Sequence, residues 1–177
     1  MLFDVSADQK RRAKAPHELF LTNMVGNHIL WFVAALGVLN TFWQPLAVVP
    51  VISLATIVFT CWRAKKSRVQ DDWYVMCHWQ VAARRSIVFS LILAAGFLIA
   101  SLGWVGYSFL GMKKVAVTAM VGGIGLLPVM VSVLVLIVME SDGMHQAGSG
   151  RIPKSIYDRF PNEDVPLLDD PSAAPAE

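Results

Sequence analysis

Residues Ser86–Leu110, SIVFSLILAAGFLIASLGWVGYSFL, run for twenty-five positions without one Asp, Glu, Lys, Arg or His. Only a helix satisfies its own backbone across hydrocarbon, and about 20 mostly apolar residues are enough to cross it. Three stretches of the same kind accompany this one, roughly Met24–Phe42, Pro45–Trp62 and Val115–Met139. Of the 177 residues, 55% are hydrophobic and 16% charged, against about 25% charged in an ordinary soluble domain. The acidic and basic side chains lie outside the apolar blocks. That pattern excludes an ordinary soluble enzyme, a disulfide scaffold and a disordered chain. The predicted fold is all-α: an integral membrane four-helix bundle of two helical hairpins, with an interfacial amphipathic helix and a flexible C-terminal tail.

The joints support two hairpins. Asn40–Pro45 reads as a tight turn with a helix-starting proline, and Gly111–Lys114 as a second turn. The chain then divides into a basic arm (1–22), a first hairpin (23–62), a basic loop with the interfacial helix (63–85), a second hairpin (86–140) and a tail (141–177). Thirteen of the 15 Lys and Arg residues fall in the arm, the loop and the tail, and only Lys113 and Lys114 on the opposite side. The positive-inside rule therefore predicts cytoplasmic termini, in a layout that suits a bacterial inner membrane. Trp43, Trp104 and Tyr107 are expected at the outer interface, and Trp62, Trp73, Tyr74 and Trp79 at the inner one. The first apolar block follows a polar arm and lacks a cleavage pattern, so it reads as an uncleaved anchor.

Two polar pieces are candidate docking surfaces. In the loop and interfacial helix, Arg63, Lys65, Lys66, Arg68, Arg84 and Arg85 mix with Trp73 and Trp79. This composition suits a collar fixing helix depth, or a surface for anionic lipid headgroups or a partner. In the tail, the fourth helix is expected to end at Glu140–Gly143, followed by a hinge at Ala147–Gly150. Pro153 then opens a short helix and Pro161 stops it, placing Ile152, Ile156, Tyr157 and Phe160 on one face. That face either lies back on the chain's own helices and the bilayer or docks on a partner. Past Pro161, through Asp169 and Asp170, the acidic, proline-rich composition predicts disorder.

Ionisable groups inside a span are costly and usually functional. The interiors of these spans hold no Asp, Glu, Lys or Arg, and Glu140 stands at the exit of the fourth. A self-sufficient ion-coupled pump is therefore not expected. His28 and His78 both lie near the basic side, and a bis-histidine haem site would use such a pair. Against it, Arg84 and Arg85 set His78 about two turns outside the membrane, and an intramembrane His is more often a bond between helices. Cys61 and Cys77 fall on the reducing side without metal spacing. His17–Glu18 reads as cap and interface. No cofactor or metal is expected, and the basic clusters lack the context of a nucleic-acid fold.

Helix packing is the chemistry the spans carry most openly. Gly96 and Ala100 in the third, and Ala119, Gly122, Gly123 and Gly125 before Pro128 in the fourth, give small-xxx-small steps that let backbones approach. The leading expectation is a non-catalytic multi-pass subunit that anchors or scaffolds a larger secretion, conjugation, respiratory or transport complex. Its partners would be other membrane subunits, anionic lipids or further copies of itself, and not nucleic acid. The alternatives are a haem- or quinone-associated electron-transfer anchor, and an oligomeric channel or transporter lined by Asn27, His28, Thr118 and Ser132.

Overall fold

In the computed structural model, which describes residues 1–168, four helices are long and apolar enough to cross a membrane. They are α1 (Ala7–Gly37), α2 (Gln44–Gln70), α3 (Trp73–Phe109) and α4 (Lys114–Ser149). A short α5 (Lys154–Tyr157) follows. Among the described residues no strand forms; Leu2 and Phe3 make isolated antiparallel bridges with Arg151 and Leu167.

Local chemistry sets the boundaries. Ser6 caps α1 through a capping box: its hydroxyl accepts from the Gln9 amide, and the Gln9 side chain accepts from the Ser6 amide. Pro45 sits in the first turn of α2, and its carbonyl accepts from the Trp31 indole at 2.8 Å, closing the first joint. Gly150, at φ 82°, ends α4 in the left-handed conformation that glycine adopts without strain. Two helices change pitch along their length. Thr22–Trp31 in α1 and Val121–Leu126 in α4 are π-helical. Pro128 cannot bond back to residue 124 and crowds its carbonyl, and the wider turns just before it absorb the mismatch.

α1 packs on both α3 and α4, and α2 packs on α3. Burial then divides the molecule in two. Along the apolar stretches large side chains such as Phe97, Val115 and Val138 face outward, as a hydrocarbon surrounding requires. At the basic end burial is inverted, and Tyr74 through Trp79 are all buried. α3 has 37 residues, about 55 Å at 1.5 Å per residue, whereas hydrocarbon is about 30 Å thick. A helix of that length is longer than hydrocarbon is thick, and its first third, buried by the rest of the chain, forms a head with segments 1–20 and 140–168.

The head corrects three expectations. Residues 73–85 are not a separate helix on the interface; they continue straight into α3. α4 does not stop near Gly143 but runs to Ser149, so the expected hinge is its last turn. The segment after Pro161 is anchored as far as Leu168, whose amide donates to the Leu2 carbonyl at 2.9 Å. Asp169 and Asp170 lie outside the described residues.

Candidate functional site: a buried histidine–carboxylate network

Three helices bring ionisable side chains together inside the head. His17 of α1 and Glu140 of α4 are 0% exposed, and His78 of α3 is 1% exposed. His17 Nδ1 lies 2.5 Å from Glu140 Oε2, and His17 Nε2 lies 2.9 Å from His78 Nδ1. Arg85 Nη1 stands 3.2 Å from Glu140 Oε1 as an ion pair and donates to the Met139 carbonyl at 2.8 Å. Gly143 makes the convergence possible. A Cβ there would come within 2.8 Å of both Arg85 Nη1 and the His17 ring.

The hydrogens can be counted. Beside Arg85 the Glu140 carboxylate accepts, so His17 Nδ1 donates to it. Two wirings of the remaining N···N bond then differ by one proton. Either His78 Nδ1–H donates to a neutral His17, or a doubly protonated His17 donates to His78. In both, a single hydrogen lies between the two rings. Burial foremost, then His17 and more weakly Arg85, pushes the His78 pKa down from 6.5 to about 3, while the Arg151 backbone pulls it upward. His78 Nε2 is buried without a hydrogen bond of ordinary geometry, and the Tyr74 ring packs edge-on against the imidazole. The Tyr74 hydroxyl donates to the carbonyls of Gln146 and Ala147. The cluster can therefore hold and share a proton. Among the described residues no group of His, Cys, Asp and Glu is arranged to hold a metal ion. Cys77 next to the cluster is buried, which raises its thiol pKa to about 12 and keeps it unreactive.

A second tie closes the head on its other side. Asp71 accepts from Arg12 at 2.9 Å and from Arg63 at 3.0 Å. Burial pushes its pKa up, but the two guanidiniums outweigh that and hold it below 3.8. A depressed carboxylate pKa adds stability above the unfolded value that is lost as pH falls through the folded value. Asp71→Asn is accordingly expected to unfold more readily than wild type at pH 7, with the difference vanishing in strong acid. Chemical unfolding across a pH series measures this.

The structure does not bring the two haem candidates together. His28 Nε2 bonds Ser53 Oγ at 2.9 Å, and its ring packs edge-on against Phe89. Phe89 lies eleven residues beyond His78 on the same helix, about 16 Å along its axis. Each imidazole has partners of its own, and His28 makes the interhelical bond expected of an intramembrane His. Beside it, Asn27 Nδ2 donates to Asn23 Oδ1 and to the Val49 carbonyl, so the π-helical stretch of α1 gathers the polar contacts between α1 and α2.

The docking candidates separate by burial. Trp79 lies inside, with the Arg63 guanidinium over its ring. Trp73 is half-buried and donates to the Phe160 carbonyl, and Arg85 belongs to the Glu140 pair. Lys65, Lys66, Arg68 and Arg84 are exposed. Ile152 and Ile156 are buried in the head, with Tyr157 and Phe160 packed on the same core. The tail face thus lies back on its own chain. Of the small residues, Gly96 and Gly125 meet across α3 and α4, where added Cβ atoms would meet Val129 at 3.0 Å and Ile99 at 3.3 Å. Ala100 is half-buried, whereas Ala119, Gly122, Gly123 and Pro128 face outward.

Taken alone in the sequence, Glu140 reads as a helix exit and His17 as a cap; only the fold brings them together. One signal was available: His17, Arg85 and Glu140 each mark the basic-side end of a different apolar block, hence one common level. No known protein family, curated protein or solved structure matches the chain.

Proposed function

We propose that the chain is a non-catalytic subunit of a bacterial inner membrane complex. In this reading it is a four-helix bundle with its head and both termini in the cytoplasm. The observation that carries the reading is the outward glycine face of α4. Added Cβ atoms at Gly122 and Gly123 would meet nothing within 4 Å, unlike those at Gly96 and Gly125. Glycines that admit close backbone approach, yet have no helix of their own chain against them, suit a second transmembrane helix. The cytoplasmic orientation rests on the basic residues, and exposed Lys65, Lys66, Arg68 and Arg84 would meet anionic headgroups at about 1 kcal/mol each near the surface.

The test is co-purification in mild detergent at native expression level. Gly122→Leu and Gly123→Leu are expected to leave the melting temperature unchanged and to release the partner, whether another subunit or a second copy. A chain that purifies alone and monomeric contradicts the reading.

A further inference from the structure

The His17–His78 pair lies directly beneath the root of the tail. The Phe3 amide donates to the Gly150 carbonyl at 2.9 Å and the Ile152 amide to the Met1 carbonyl at 3.0 Å. Tyr74, which packs on His78, holds the last turn of α4 through two carbonyls. Beyond that turn, Ile152 and Ile156 are buried and the Tyr157 ring stands against Phe3 and Trp73. The apolar face able to serve a partner is thus covered, and its cover is anchored over two imidazoles.

We propose that the His17–His78 pair is a proton-operated latch: a second hydrogen between the two rings opens the head and uncovers Ile152–Phe160. The proposal rests on the subunit reading above and assigns its regulation. With one hydrogen between the rings, His17 Nε2 and His78 Nδ1 attract at 2.9 Å. With two, both nitrogens are N–H groups at that distance and repel, in a site no water reaches. The charged and titratable groups around His78 do not relieve this. α1 contributes His17; α3 contributes Arg85, already positive, and the phenol of Tyr74; α4 contributes Glu140, engaged by His17 and Arg85; the segment after α4 contributes the Arg151 backbone. One carboxylate then faces three positive charges.

The sign follows from the protons bound. The closed head holds His78 well below its ordinary value, so the open head binds more protons between about 3 and 6.5. Closure is complete above that window and weakens by up to about tenfold per pH unit as pH falls through 6.5, for the one proton that His78 takes up. Asp71, held below 3.8 by Arg12 and Arg63, is ionised where the latch begins to open near 6.5, so the Arg12–Asp71–Arg63 tie is in place there.

Spin labels on Asp4→Cys and Ser155→Cys, both exposed positions, report the change. They are placed in full-length Cys61→Ser protein in lipid nanodiscs, where buried Cys77 stays unlabelled. A short distance is expected to prevail at pH 7.5, and a longer population to gain up to about tenfold on it by pH 5.5. His78→Asn keeps a donor near the Nδ1 position without titrating and is expected to stay closed at both pH values. His17→Asn is the second non-titrating variant should that one misfold. His145→Asn, at an exposed histidine, is expected to respond like wild type. A wild-type distance unchanged between pH 7.5 and 5.5 overturns the proposal, as does equal opening in the non-titrating variants. Failure to capture a partner leaves this titration untouched, so the two readings fail separately.

Discussion

Replacing Glu140 with alanine is expected to destabilise the head by about 3–5 kcal/mol, the cost of removing one partner from a buried charge pair. The carboxylate is fully buried between His17 and Arg85. Its loss strands a guanidinium whose side chain is only 15% exposed and a histidine that no longer has an acceptor for Nδ1–H. Glu140→Gln preserves shape and an acceptor oxygen, so its cost is expected to be smaller, about 1–3 kcal/mol. Hydrogen exchange of amides in the first half of α1 and the last two turns of α4 measures both. A change under about 1 kcal/mol for alanine would mean that the network holds nothing together.

Phe3→Ala has the second large effect, expected to cost about 3–5 kcal/mol as a large-to-small change in a packed core. Phe3 is 2% exposed, with its ring centroid 5.1 Å from Trp73 and 5.6 Å from Tyr157. It is the side chain over which the tail closes. The loss is expected to be local: exchange protection of residues 151–168 falls to that of free peptide, while the apolar parts of α2 and α3 are unaffected. The magnitude is that of a water-facing core, because the hydrophobic driving force acts only where the unfolded alternative meets water. Equal loss of protection throughout the four helices would show that the head and the apolar helices are one cooperative unit.

The four long helices were legible in the sequence because an uninterrupted apolar run needs no tertiary information to be read. The turn at Asn40–Pro45 was legible for the same local reason. The head was not. Residues 73–85 mix Trp, Tyr, Met and His with two arginines, a composition equally suited to an interfacial collar and to a helix buried on all sides. The deciding fact is what surrounds them: Phe3, Ala147 and Ile152, contributed from both ends of the chain. The His17–Glu140 bond joins residues 123 positions apart, and nothing local marks either as a partner of the other. His28 was the opposite case, since a polar ring in an apolar helix must find a nearby partner, and Ser53 supplies it. The small residues were half legible. Spacing identified those able to permit close contact, but only packing separates Gly96 and Gly125, which touch within the chain, from Gly122 and Gly123, which do not.

Nitrogen NMR of the imidazoles tests the network most directly, in full-length protein in lipid with labelled histidine. A scalar coupling across the hydrogen bond between His17 Nε2 and His78 Nδ1 is predicted at neutral pH, together with a protonated His17 Nδ1. Four histidine spectra without any coupling between rings would contradict the account.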